Sequence, residues 1–267
     1  MAYNNTFSSL SKKETELIAR LTYEKKSIVT IEDISIYISM NKASRNKLIF
    51  SLMQKKILRS IKRGVYLFTP LEALSTGKQV NEYCIPPLFF PKGNYYIGYS
   101  TMYNYYGFTE QLFQTVYVLN TDYSQTRIIS GITYKFTKIT PDRLYGLTTL
   151  VIDNTTITIS SKERTLIDLM YFNNPVGGSE RAADLFKQVV SQTDCDRKAL
   201  IDYAVKFPVI SIRKRIGVLL EDLQWSNSEL EPLAKSVQDS SIISFGKSRK
   251  GIINKKWRVI IDASQKS

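Results

Sequence analysis

The chain has 267 residues, 43% of them hydrophobic, and a formal net charge of +13 at pH 7. This length suits two domains with real cores, and the charge favours a polyanionic partner such as nucleic acid or an acidic protein surface. With no histidine and only Cys84 and Cys195, Ser-His and Cys-His catalysis, the usual zinc sites and a disulfide framework are excluded.

No phosphate-binding loop, dinucleotide fingerprint or nuclease-type carboxylate and lysine cluster occurs in the sequence. We therefore predict no enzyme, no catalytic residues, no metal and no cofactor. The N-terminus lacks an apolar signal core, and no uncharged apolar run approaches the roughly 20 residues that span a bilayer. These features, with two isolated cysteines, predict a cytoplasmic protein without a membrane partner.

The first 70 residues are predicted to form one domain, and they hold 13 of the 37 Lys and Arg residues but five of the 24 Asp and Glu residues. Ser11 and Glu14 have the spacing of a capping box for a first helix over 12–26. Thr30 is the predicted N-cap of a second helix. Met40, Asn41 and Lys42 then form a turn before the third helix.

The third helix is predicted roughly over 43–56, with Leu48, Ile49, Leu52 and Met53 facing the core. A helix placed in the major groove presents its N-terminal residues to bases and phosphates, so polar and basic residues are suited to that end. The alternative is an ordinary solvated amphipathic helix. The candidate DNA contacts on this helix and the preceding turn are Asn41, Lys42, Ser44, Arg45 and Lys47.

A hairpin is predicted next, with β-prone runs at 57–61 and 65–68 around Lys62, Arg63 and Gly64. Arg59, Lys62 and Arg63 would project from it toward phosphates beside the groove. Three helices followed by such a hairpin predict a winged helix-turn-helix, and the hairpin makes DNA binding the favoured interpretation.

Residues 71–92 are predicted to be an extended linker because they contain several prolines. Residues 93–267 are predicted to form a larger mixed α+β domain, since strands precede helices. Its predicted strands lie at 115–120, 126–130, 132–139 and 148–160. Helices follow from Ser160 or Ser161 to 223, a polar, loop-rich segment covers 225–241, and WRVIID forms a last strand.

Six tyrosines lie between Tyr95 and Tyr106. They are typical either of base stacking or of an aromatic core with hydroxyls bonded at its edge, and we favour the core. Ser100 is the predicted cap of a short helix here. Basic clusters occur later, and each is either a solvated face or a second surface for a polyanion; their members are Arg213, Lys214, Arg215, Lys247, Arg249, Lys250, Lys255, Lys256 and Arg258.

Five phrases in order resemble the AbiEi family of antitoxins from abortive-infection and type IV toxin-antitoxin systems. The phrases are KRGVYLFTP at 62–70, YYIGYSTMYNYYGF at 95–108, ISSKERTLIDLM at 159–170, KRIGVLLE at 214–221 and NKKWRVIID at 254–262. Together with the predicted winged helix that ends in the first phrase, they span about residues 10–262, nearly the whole chain. The resemblance implies a repressor that binds inverted repeats in its own promoter. It also implies that the C-terminal domain neutralises a nucleotidyltransferase toxin without a stable complex.

Carried over by position, the resemblance places the DNA contacts on the residues named above for the third helix and hairpin. It places an antitoxin surface on Arg164 and on the later basic clusters. Two alternatives remain open: a winged-helix regulator with a ligand-sensing C-terminal domain, or one whose C-terminal domain acts on nucleic acid. We expect a monomer in solution that assembles cooperatively on DNA, because no heptad or large apolar patch predicts a stable dimer.

Overall fold

The protein is a mixed α+β chain, and its computed structural model describes residues 10–71, 81–192, 194–246 and 249–261. The described residues contain ten α-helices and three sheets. They fall into two compact units, one drawn from residues 1–85 with 129–131 and the other from 86–128 with 132–267. We call these the N-terminal unit and the C-terminal unit.

The N-terminal unit contains three helices and a three-stranded antiparallel sheet. The sheet has the order β1-β3-β2, and its last registered pair before the hairpin turn joins Lys62 to Val65. Its core lies between the helices and the sheet. The elements in chain order are α1 (Lys12–Tyr23), β1 (Ile28–Thr30), α2 (Ile31–Tyr37), α3 (Lys42–Gln54), β2 (Leu58–Lys62) and β3 (Val65–Phe68).

Local sequence determines where these first helices begin. Both predicted caps are confirmed: the Ser11 and Thr30 side chains each accept from a backbone N–H three residues on, and each helix completes a capping box. The prediction for Met53 is wrong, because this side chain is 37% exposed, whereas Leu48 and Leu52 are buried as expected.

The C-terminal unit begins with a short helix, α4 (Pro86–Phe89), preceded in the chain by a 3₁₀ turn at Glu82–Cys84. The prediction of an extended linker is therefore wrong for these residues, because Pro86 lies at a helix start, where proline's fixed φ and missing N–H are tolerated. Residues 72–80 of the predicted linker lie outside the described residues.

A six-stranded mixed sheet has the order β6-β7-β5-β4-β9-β8. The strands β4 and β9 are parallel, as are β5 and β7, while β4 pairs with β5 and β8 with β9 in antiparallel fashion. The short helix α5 (Ser100–Tyr105) follows β4. The strands are β4 (Tyr95–Ile97), β5 (Thr115–Asn120), β6 (Gln125–Ile129), β7 (Ile132–Lys138), β8 (Leu147–Ile152) and β9 (Thr155–Ser160).

Five helices after the sheet form the largest core of the chain, which also takes in Tyr103 of α5 and Trp257 near the C-terminus. A small second sheet, of order β10-β12-β11, follows them. These elements are α6 (Lys162–Tyr171), α7 (Ser179–Gln192), α8 (Arg197–Lys206), α9 (Ile210–Asp222), α10 (Asn227–Lys235), β10 (Ile243–Ser244), β11 (Ile252–Asn254) and β12 (Val259–Ile261).

Three predictions for the C-terminal unit have clear outcomes. The segment 225–241 is not simply loop, because Ser226 and Glu229 form a capping box that begins α10. The aromatic-core interpretation is confirmed for Tyr95, Tyr96, Tyr99 and Tyr103, which are at most 3% exposed. Ser100 does not cap a helix, because α5 starts from Tyr99, whose φ is +54°, without a side-chain cap.

Candidate functional site

The outer face of α3 carries three of the eight residues predicted to contact DNA. Lys42, Ser44 and Lys47 are exposed there, while Leu48, Ile49 and Leu52 turn the opposite side of the helix into the core. Three residues that the sequence patterns did not single out also lie on this outer face: Ala43, Asn46 and Phe50 are all exposed. Counting helical positions from the buried leucines would have found them.

The structure gives Asn41 and Arg45 partners within the protein. Asn41 is the N-cap of α3, and its Oδ1 accepts from the Ser44 backbone N–H at 2.8 Å. Arg45 is only half-exposed, and its Nη1 donates to Ser35 Oγ of α2 at 2.6 Å. The side chain of Arg45, a candidate DNA contact, thus turns toward α2 and does not lie beside Lys47 on the outer face.

The hairpin between β2 and β3 is short. Arg63 is exposed at its turn, whereas Arg59 and Lys62 are half-buried. Gly64 has a φ of +77°, which glycine adopts without steric cost, and its carbonyl accepts from Ile31 N–H at 3.0 Å. The turn consequently lies level with the start of α2.

A buried ion pair joins α1 to the end of α3. Both carboxylate oxygens of Glu14, which is 3% exposed, accept from Lys55 Nζ at 2.8 Å. Ser51 Oγ and the Ser11 N–H each donate to the same carboxylate at 2.7 Å. Burial opposes ionisation, but these hydrogen bonds, led by the one from Lys55, lower the pKa of Glu14 to about 2.

An open cleft of about 570 Å³ lies where the start of α1 faces α3. It is rich in lysine and serine, and its one carboxylate, Glu14, already pairs with Lys55. The cleft thus continues the cationic outer face of α3 toward α1. Its lining residues are Ser11, Lys12, Lys13, Glu14, Met40, Ser44, Lys47, Leu48, Ser51 and Lys55.

In the C-terminal unit, Arg164 and Asp168 form an ion pair that is fully buried at 0% exposure. Arg164 Nη2 lies 3.1 Å from Asp168 Oδ1 and also donates to the Tyr96 hydroxyl at 3.0 Å. Its Nη1 donates to the carbonyls of Arg143 and Tyr145 at 3.0 and 3.3 Å. Burial alone would lower the pKa of Arg164, but the Asp168 carboxylate raises it.

This arrangement makes Arg164 a structural cation. Its position on a solvent-facing antitoxin surface was predicted from sequence, and that prediction is wrong because no part of the side chain reaches solvent. The network also includes Tyr103 of α5 beside Tyr96 of β4, since Tyr103 Oη donates to the Asp168 carbonyl at 2.9 Å. The phrases at 95–108 and 159–170 thus meet in one buried polar network.

The three consecutive cations of α9 donate to main-chain carbonyls. Lys214 is 1% exposed, and burial lowers its pKa, so its predicted position on a surface is also wrong. Arg213 and Arg215 are half-buried, and burial lowers their pKa values too. The acceptors are, in order, the carbonyls of Phe207 and Ser236 for Arg213, of Ser241 for Lys214 and of Ser244 for Arg215.

Trp257 packs directly over Gly217 of α9. A Cβ at position 217 would lie 2.2 Å from a carbon of the Trp257 ring, so only glycine fits there without movement. Glu221, one turn further along, accepts from Trp257 Nε1 at 3.1 Å and from Asn254 Nδ2 at 2.7 Å. Lys256 pairs with the same carboxylate at 3.1 Å.

The remaining basic residues near the C-terminus are more exposed. Arg249, Lys250, Lys255 and Arg258 are all solvent-facing, although Arg258 Nη1 also donates to the Gln238 carbonyl at 3.0 Å. The predicted site residue Lys247 lies outside the described residues. The exposed part of the predicted antitoxin surface is therefore smaller than the sequence suggested.

Across residues 10–71, 81–192, 194–246 and 249–261, no group of three or more His, Cys, Asp or Glu residues is placed to hold a metal ion. Within the same ranges, no helix has the length and apolar character needed to cross a membrane.

Comparison with known proteins gives a match in fold only. No family model and no curated protein matches the sequence. Among solved structures, the chain is similar to the crystal structure of the RV2827C protein from Mycobacterium tuberculosis, with a TM-score of 0.65 and 12% sequence identity. The match covers 95% of this chain and 92% of that chain, and at this identity it supports a shared mixed α+β fold alone.

Proposed function

We propose that the N-terminal unit is a winged helix-turn-helix and that the protein binds duplex DNA through α3. The observation that carries this proposal is the charge of the segment from α3 to β3: residues 42–68 contain eight Lys and Arg residues and no Asp or Glu. The segment places an exposed polar face on α3 and an exposed Arg63 on the hairpin. The element order, with a hairpin directly after the third helix, also supports it.

The cleft between α1 and α3 adds to the electrostatic argument. Lys12 and Lys13 are exposed at its rim, and Lys47 belongs to both the cleft and the outer face of α3. A cationic surface of this kind gains affinity for DNA by releasing counterions from the phosphates. Of the eight predicted contacts, we assign four by position, with Lys42, Ser44 and Lys47 toward the groove and Arg63 toward the flank.

The finer part of the proposal is an antitoxin that represses its own operon and counteracts a nucleotidyltransferase toxin. It rests on the sequence resemblance to the AbiEi family. With Arg164 and Lys214 buried, the residues of the C-terminal unit that we assign to the antitoxin surface are Arg249, Lys250, Lys255 and Arg258. We further propose that two copies assemble on inverted repeats in the promoter.

A mobility-shift titration against the DNA upstream of the gene tests the DNA-binding part. Lys42→Ala with Lys47→Ala should weaken binding and reduce the slope of log affinity against log salt by roughly 0.9 for each phosphate that is no longer neutralised. Arg20→Ala with Lys25→Ala removes two exposed cations from the end of α1 and is the matched control. Equal affinity and equal salt slope for the two double variants would contradict the assignment of α3.

The antitoxin part needs a different readout. If a nucleotidyltransferase is encoded beside this gene, co-expression should protect cells from it. Arg249→Ala with Lys255→Ala should reduce that protection while leaving DNA binding unchanged. Full protection by this variant would contradict the assignment of this surface. A wild type that gives no protection would contradict the antitoxin function itself.

A further inference from the structure

One stripe of α3 points away from the core of the N-terminal unit. Ala43, Asn46, Lys47 and Phe50 are all exposed, and their spacing of three, four and seven residues places them on one side of a helix. Helices that read the major groove, such as that of the homeodomain, use this same spacing for the side chains that reach base edges. Of the five residues that the sequence predicted on α3 and its preceding turn, this stripe contains only Lys47.

Asn46 has the chemistry of a base-reading residue. Among the described residues, no group hydrogen-bonds its side-chain amide, whereas the Asn41 amide oxygen is used as a helix cap. An asparagine amide presents one donor and one acceptor side by side, which matches N7 and the N6 amino group of adenine. Asn46 lies in the N-terminal half of α3, four residues before Phe50.

Phe50 is the large apolar residue of this stripe. Its side chain is 63% exposed, and the other members of the stripe are the small Ala43 and the polar Asn46 and Lys47. The 5-methyl group of thymine is the apolar feature of the major groove, and aromatic side chains are among those that contact it. A second copy of this chain is a poorer occupant, because Lys42 and Lys47 are exposed on the outer face of α3 and residues 42–68 hold no carboxylate, so two such faces would repel.

We propose that Asn46 and Phe50 read A·T base pairs in the half-site, with Asn46 bonding adenine and Phe50 packing on a thymine methyl. Lys47, between them on the stripe, contacts guanine or a phosphate. This assignment rests on the DNA-binding function proposed above and adds the kind of sequence that the protein selects. Arg45, which donates to Ser35, holds α3 to α2 instead.

The test is selection of bound duplexes from a random pool with the full-length protein, followed by titration of the selected site. Asn46→Ala should lose the preference for adenine at one position by about ten-fold or more. Phe50→Ala should lose the preference for thymine at another. Tyr23→Ala, a change at an aromatic side chain that is 88% exposed at the end of α1, is the matched control and should select the wild-type site.

Replacing thymine by deoxyuridine in the selected site removes only the methyl group. The wild type should lose affinity on this replacement, and Phe50→Ala should not. If both variants select the wild-type sequence with unchanged discrimination, the inference is overturned while DNA binding stands. If Phe50→Ala instead changes the mass of the protein in light scattering but not its base preference, Phe50 serves self-association. A wild type that retains no duplex at low salt overturns the proposed function itself.

Discussion

Replacing Glu14 by glutamine should destabilise the N-terminal unit strongly. The carboxylate is 3% exposed and bonded to Lys55, Ser51 and the Ser11 N–H. Folding lowers its pKa from 4.5 to about 2, which corresponds to about 3 kcal/mol of stabilisation of the ionised form. Glu14→Gln keeps the shape of the side chain but leaves Lys55, only 16% exposed, without its counter-charge.

The same pKa shift gives a pH dependence with a definite sign. Because the folded pKa lies below the unfolded one, the stabilisation is complete above pH 4.5 and is lost as the pH falls toward 2. The wild type should therefore lose more stability between pH 6 and pH 3 than Glu14→Gln does. The difference between the two proteins should shrink as the solution becomes more acidic.

Urea unfolding of the full chain at several pH values measures this effect. Glu16→Gln is the matched control, since Glu16 lies on the same helix with an exposed side chain, and it should change stability by less than about 0.5 kcal/mol. If Glu14→Gln and Glu16→Gln unfold at the same urea concentration at pH 7, the ion pair with Lys55 does not stabilise the unit.

Further predictions concern the core of the C-terminal unit and the cleft. Gly217→Ala should cost about 1–3 kcal/mol, because the added carbon meets the Trp257 ring at 2.2 Å; an unchanged melting temperature would contradict the packing. Asp168→Asn should cost about 3–5 kcal/mol in thermal unfolding, because its arginine partner stays buried without a counter-charge; a loss under about 1 kcal/mol would contradict that role. Lys12→Ala with Lys13→Ala should lower the salt slope of DNA binding by about 0.9 for each phosphate that these lysines neutralise; an unchanged slope would place the cleft outside the interface.

Much of the N-terminal unit was predictable because its signals are local. Capping boxes at Ser11 and Thr30 mark helix starts through residues three apart, and Gly64 marks the hairpin turn. In the C-terminal unit, the strand over 115–120 was predicted from its apolar run in the same way and agrees with β5. In each instance, the residues that determine the structure are neighbours in sequence.

The roles of the basic residues were not predictable in this way. In the sequence, Arg164 resembles a surface cation. Its partner Tyr96 is 68 residues away, and its burial beside Asp168 depends on the fold. Lys214 is similar, because its acceptor is a carbonyl 27 residues along the chain. Sequence shows that a charge exists but not whether a partner from a distant segment buries it.

The outward stripe of α3 was not predicted from the sequence, for a different reason. The pattern of Leu48, Ile49 and Leu52 already fixes which side of the helix faces the core, so Asn46 and Phe50 could have been located from the sequence. Their position on the helix, and not their charge, marks them as outward-facing. Arg45 was included for its charge, although the structure turns it toward Ser35.

The cations of α9 affect how the chain can change over evolution. Lys214 and Arg215 hold Ser241 and Ser244 by their main-chain carbonyls, which every amino acid possesses. Substitutions of the exposed side chains at 238, 239, 241 and 242 should thus leave the attachment intact, whereas Val237, which is 1% exposed in the core, is not free to diverge. Lys214 itself cannot be substituted as freely, because its own side chain donates the hydrogen bond and is buried.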